Sequence, residues 1–272
     1  MCSSDLIADP EPRALGGVPR GAVAMLAGTG RARTHYCVMV VPTSEGTARG
    51  LLVWFSASAQ GVAAPSCGAV FADPELTFGL PAHVTAATGM DALTHNIESY
   101  LSPAYHPLCD GIALEGLRVG ARALARAVAE PQNLQARSDM MMSSMMGAIA
   151  FQKDLGSVHA CAHALGAVCD MHHGLANALM IDTVLAWNLE AVPAKFDEMA
   201  HVVGASGGAH GFISWLKQLK AQVGIQGGLS AHGVTLDHLP RLVPLAAKDF
   251  TGGTNPRPDR KSTRLNSSHL VI

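Results

Sequence analysis

The chain has 272 residues, 19 basic and 21 acidic side chains and a formal net charge of -2, enough length for one large or two ordinary domains. Only 15% of the residues are charged, so nothing in the electrostatics points to nucleic acid or to an anionic membrane as a partner. No apolar run reaches the roughly eighteen residues of a membrane span. The start, MCSSDLIADPEPR, lacks the basic and apolar regions of a signal peptide, so the expected compartment is the cytoplasm.

Along the chain two regimes are visible. Residues from about 20 to 73 are rich in Val, Thr, Gly and Ser, with strand-like runs YCVMVV and LLVWFSA. A polar turn, FADPELTFGLP, bracketed by Pro74 and Pro81, separates them from a segment that is helical from Leu80 onward. PAHVTAATGMDALTHNIESYLS stops at Pro103, GIALEGLRVGARALARAVAE stops at Pro131, and SDMMMSSMMGAIAFQ runs toward Gly156. AKFDEMAHVVG, GFISWLKQLKAQVG and LPRLVPLAAKDF also carry apolar residues at helical spacing. The fold class is therefore an α/β remnant followed by a mostly α-helical domain. The cluster Met140, Met141, Met142, Met145 and Met146 reads as adaptable core filling, since nothing else suggests soft-metal handling. The six cysteines form no CxxC pair and read as reduced, small buried side chains.

The chemistry lies in the histidines. Asp91 and His95, and again His159 and His163, are four apart, so each pair projects from one helical face. His173 opens a further apolar run, HHGLANALM. One carboxylate with several imidazoles from different helices is a ligand set for a divalent transition metal. Eight other histidines (His35, His83, His106, His172, His201, His210, His232, His238) are read as structural or surface residues. A zincin protease needs Glu after the first His of its motif; here the segment is His159-Ala160-Cys161-Ala162-His163, and that base is missing. Cys161, two positions from each neighbouring His, faces away from them on a helix. A two-His, one-carboxylate oxygenase stays open on ligand type alone.

The stretches ADPELTFGLPAHVTAATGMDALTHNIESYLS and FQKDLGSVHACAHALGAVCDMHHGLANAL closely resemble the two signature regions of iron-containing (group III) alcohol dehydrogenases. The resemblance runs from about Asp73 to Pro258, with AAKDFTGGTNPRP similar to the family's C-terminal region. It implies the architecture shared with dehydroquinate synthase. It also implies that Asp91, His95, His159 and His173 hold one divalent ion, Fe(2+) in many members and Zn(2+) in some. By the same resemblance, His163 stands beside the metal as a proton-relay or positioning residue. The implied reaction transfers a hydride between a small alcohol or aldehyde and NAD or NADP, and similar proteins commonly assemble as homo-oligomers. Phe151 and Leu155 are expected to wall a small apolar pocket.

The nucleotide side departs from the family pattern, because the Gly-Gly-Gly-Ser pyrophosphate loop is missing. Ala27-Gly28-Thr29-Gly30 resembles the middle of a cofactor-cleft segment, although Met25-Leu26 and Arg31-Ala32 replace its flanks. The cofactor-side assignment is accordingly Gly28, Thr29 and Gly30, with Leu76 and Thr77 from the loop Asp73-Pro74-Glu75-Leu76-Thr77. MCSSDL and DRKSTRLNSSHLVI resemble translated sequencing-adapter read-through. The expected layout is thus a non-native terminus at 1–6, an α/β nucleotide-domain remnant at 7–73, a helical catalytic domain at 74–259 and a non-native tail at 260–272. Competing readings are a metal-dependent lyase of the dehydroquinate synthase-like group and a truncated, non-catalytic fragment.

Overall fold

The computed structural model describes residues 72–258 throughout and, nearer the N-terminus, the backbone of three strands. The chain divides into two units, Met1–Phe78 and Gly79–Ile272. In the first, β1 (Ala24–Met25), β2 (His35–Pro42) and β3 (Ala48–Phe55) pair in that order, antiparallel throughout. The runs YCVMVV and LLVWF fall inside β2 and β3, where β-branched and aromatic residues suit a pleated surface. A 3-10 turn, Pro74–Thr77, starts where the Asp73 carboxylate accepts the Glu75 N–H at 3.1 Å.

The second unit is helical. α1 (Ala82–Leu101) begins after Pro81 and ends before Pro103, neither of which suits a helix interior. α2 (Pro107–Ala129) starts ahead of the expected Gly111, because Pro107 presets the first turn and His106 Nδ1 accepts the Cys109 N–H at 3.3 Å. α3 (Leu134–Ala150) also starts early, with the Asn133 side chain capping the Ala136 N–H at 3.0 Å. α4 (Ser157–Cys169) ends at Asp170, a left-handed residue at φ 52°, and α5 (His173–Leu189) follows. α6 (Pro193–Val203), α7 (Gly208–Gln222) and α8 (Leu239–Lys248) complete the unit, with a last 3-10 turn at Phe250–Thr254. None of the described helices is long and apolar enough to cross a membrane.

α1 packs against α2, α3 and α5 and is buried on nearly every face, as a helix wrapped by others must be. Met90, Leu93 and Ile97 join Leu124 of α2 and Ile181 and Leu185 of α5 in one core cluster. The C-terminal end of α1 is tied down by two ammonium groups. Lys153, fully buried, pairs with Asp110 and reaches the Tyr100 carbonyl at 3.5 Å, while Lys195 reaches the carbonyls of Tyr100 and Ser102. Positive charge is favourable there, where the last carbonyls of the helix point outward.

The methionine cluster corrects an expectation. The buried positions of α3 are Ala136, Arg137, Ser143, Gly147 and Ala150, so the helix seats itself through small and polar side chains. The methionines flank that contact: Met140 packs against the core edge and Met142 is 46% exposed.

Candidate metal centre

Three helices send side chains to one point. Asp91 and His95 come from α1, one turn apart; His159 and His163 come from α4; His173 is the first residue of α5. Ligand atoms of Asp91, His95 and His159 lie within 4.8 Å of one another. From Asp91 Oδ1 the distances are 3.5 Å to His173 Nε2, 3.7 Å to His159 Nε2 and 3.8 Å to His95 Nδ1. Donors bonded to one tetrahedral ion at about 2.1 Å stand roughly 3.4 Å apart. Asp91, His95 and His159 at these separations fit a divalent ion such as Fe(II) or Zn(II), and His173, 3.5 Å from the same carboxylate oxygen, can add a further imidazole.

The electrostatics suit the same role. Burial pushes His95 down to about 4 and His173 to about 3, so both imidazoles are neutral near neutral pH. Burial alone would raise Asp91, yet the surrounding His95, His173 and His159 hold its carboxyl well below the usual range. Burial also lowers His159, but the adjacent Asp91 carboxylate and the hydrogen bond with Glu98 outweigh this and lift it to about 9. An arriving ion must therefore displace a proton from His159. Zinc affinity is expected to rise by about tenfold per pH unit from neutrality to about 9, with one proton released. Titration calorimetry in buffers of different protonation heat counts that proton; a flat affinity over this range contradicts the assignment.

A second ring of residues fixes the first. Glu98, 2% exposed, lies on α1 one turn past His95. Its Oε1 accepts the Val158 N–H at 2.7 Å, and its Oε2 accepts the His159 N–H at 3.2 Å and lies 2.7 Å from His159 Nδ1. One carboxylate thus satisfies the open N-terminus of α4 and turns His159 Nε2 toward Asp91. Asn255 completes the cap, accepting the Ser157 N–H at 3.2 Å. Gly156 is required by this approach, because a Cβ there would stand 2.6 Å from Glu98 Oε1.

Gly174 plays the matching part on α5: a Cβ would meet the Ala87 carbonyl oxygen at 2.3 Å. The backbones of α1 and α5 touch beside His173, and Gly174→Ala is expected to push them apart. We expect about 1–3 kcal/mol of lost stability, read by urea unfolding, together with weaker metal binding.

His163 faces a different partner. Its Nδ1 lies 2.9 Å from Asp249 Oδ2, and its ring stacks on His173 at 5.4 Å and on Phe250 at 6.3 Å. Burial would raise Asp249, but the hydrogen bonds from His163 and Thr251 hold it low. Phe151 walls the other side, its ring 5.6 Å from that of His95. Burial, with Glu98 and Asp249 nearby, pushes the Cys161 thiol up to about 12, the reverse of what a thiolate ligand needs.

The structure thus gathers Asp91, His95, His159, His163 and His173. On the cofactor side, Leu76 and Thr77 lie in the 3-10 turn of the first unit, while Gly28, Thr29 and Gly30 lie outside the described residues. The terminal segments 1–6 and 260–272 lie outside them too. Glu98, Asn177 and Asp249 were not expected from the sequence. Glu98 and Asn177 carry a readable signal, each one helical turn beyond a predicted ligand.

Comparison with known proteins adds the relatives. The profile of the Fe-containing alcohol dehydrogenase family, C-terminal, matches residues 85–265, which include Asp91, His95, His159 and His173. A 1,3-propanediol dehydrogenase of Klebsiella pneumoniae is 41% identical over 193 residues, covering 68% of this chain and 50% of that protein. The crystal structure of a 1,3-propanediol oxidoreductase matches with a TM-score of 0.70 at 33% identity, covering 90% of this chain and 63% of that one. A sulfoacetaldehyde reductase from Bifidobacterium kashiwanohense, solved with NAD+, matches at 0.67 and 27% identity, with 87% and 61% covered. The chain spans about half the length of the curated relatives it matches.

Proposed function

The chain belongs to the Fe-containing alcohol dehydrogenase family, and on that premise we propose that it carries the metal-binding half of a cytoplasmic NAD- or NADP-linked alcohol dehydrogenase. What supports this reading is the convergence of Asp91 Oδ1 with the imidazole nitrogens of His95, His159 and His173, which we assign as the ligands. A divalent ion held there would supply Lewis-acid polarisation of a substrate oxygen, and a bound nicotinamide would supply the hydride chemistry.

The residues of the chain do the rest. Glu98 holds His159 in the orientation that leaves Nε2 facing Asp91. His163, engaged at Nδ1 by Asp249, holds or passes the hydroxyl proton at Nε2. Phe151 and Phe250 flank the imidazoles and give the site apolar walls. We assign Gly28, Thr29, Gly30, Leu76 and Thr77 to the cofactor side. The matched proteins act, by name, on 1,3-propanediol and sulfoacetaldehyde, and a short aliphatic alcohol or aldehyde is the substrate class proposed for this chain.

The test is anaerobic purification, elemental analysis, and NADH or NADPH oxidation across short aldehydes with and without a chelator. About one equivalent of iron or zinc and chelator-sensitive turnover are expected. Folded protein without metal overturns the site; metal without nicotinamide oxidation overturns the dehydrogenase assignment for this chain.

A further inference from the structure

Asn177 sits on α5 one turn beyond His173 and is completely buried. Its Nδ2 lies 2.6 Å from Asp91 Oδ1, 3.1 Å from His173 Nε2 and 3.3 Å from His159 Nε2. The other end of the same amide is poorly placed: its Oδ1 is buried with no hydrogen-bond partner among the described residues. A buried amide with an unsatisfied oxygen is an unfavourable space filler, and a leucine of similar volume would avoid that cost. The position therefore keeps an amide for its N–H groups, and those point at the ligands.

We infer that Asn177 is a positioning residue of the metal centre, donating to Asp91 so that its Oδ1 stays aimed at the point where His159 and His173 converge. The inference rests on the metal reading proposed above. A carboxylate oxygen has more than one acceptor direction, so Asp91 Oδ1 can take the amide N–H and an ion bond together. Without that N–H the carboxylate loses its one short hydrogen bond with this group of side chains, and an ion must supply more of its ordering on binding. Asn177 thus does for the carboxylate what Glu98 does for His159.

The experiment is a titration of the purified chain with Co(II), whose visible spectrum reports coordination geometry. The wild-type chain is expected to take one equivalent. Asn177→Leu is expected to bind about 10- to 100-fold more weakly and to show an altered cobalt spectrum, while the melting temperature of the metal-free chain holds or rises. Asn177→Ala, in which no bulk is added, is expected to lose affinity by a similar factor. In the wild-type chain itself, the Asn177 side-chain amide resonances are expected to move on zinc addition, a readout independent of either variant folding. Unchanged affinity and spectrum in a folded variant, or amide resonances that stay fixed while zinc binds, overturn the inference. A wild-type chain that binds no cobalt instead removes the metal reading on which it stands.

Discussion

An Asp91→Ala chain is expected to retain its helical fold and bind no stoichiometric iron or zinc. Among the described residues, Asp91 is the only carboxylate at the centre of the imidazole group, 3.5 to 3.8 Å from a nitrogen of each of three histidines. Its loss removes the charge that offsets the ion and leaves His95, His159 and His173 facing one another. The affinity loss should exceed the roughly 10- to 100-fold that removing an outer partner causes. His159→Ala is expected to behave alike. His163→Ala is expected to keep the metal, because its Nδ1 is engaged by Asp249 at 2.9 Å, away from the ligand group. Elemental analysis after exhaustive dialysis, with circular dichroism as the folding control, separates the cases. Equal metal loss in all three variants would contradict the division between ligands and relay.

Glu98→Gln is the second large effect, because one carboxylate serves both the fold and the site. A carboxamide cannot accept from two backbone N–H groups and an imidazole N–H at once without aiming one of its own donors at another donor. Metal affinity is expected to fall about 10- to 100-fold, and the metal-free chain to lose about 1–3 kcal/mol. Glu98→Ala orphans the Val158 and His159 N–H groups together, and a loss nearer 3–5 kcal/mol is expected, as when one partner of a buried pair is removed. Urea unfolding and zinc titration measure the two effects. Stability unchanged in both variants would mean that the N-terminus of α4 is held by Asn255 alone.

Local rules carried much of this structure. The ends of α1 follow Pro81 and Pro103, and the ligand pairs Asp91/His95 and His159/His163 emerge directly from the pitch of a helix. The chain's place in its family was likewise readable from TGMDALTHNIE and HHGLANA. Other features depend on what meets in space. Asp249 reaches His163 across 86 positions of sequence, and no periodicity connects them. Asn177 has the right spacing from His173, but only the arrival of Asp91 from α1 turns a buried amide into part of the site. The methionines of α3 misled because apolar character does not say which face is covered; Ser143, Gly147 and Ala150 let the helices approach closely and leave the longer side chains at the margin.

Since α1 is wrapped by other helices and held at Tyr100 and Ser102 by Lys153 and Lys195, its amides are expected to exchange with solvent only when the whole unit opens. The opposite wall of the centre is thinner, with the side chains of His173 and His163 exposed by 38% and 28%. The first turn of α5 is capped by His172, whose carbonyl accepts the Ala176 N–H at 2.9 Å and whose Nδ1 accepts the Leu175 N–H at 3.4 Å. Asp91 and His95 therefore form the buried floor of the centre, and the partly exposed side chains of His173 and His163 form its rim. The rate at which a bound ion leaves is expected to follow local opening at that rim and not the global stability of the fold. Changes that strengthen the distant packing of α6 against α7 would raise the melting temperature and leave the residence time of the metal where it was.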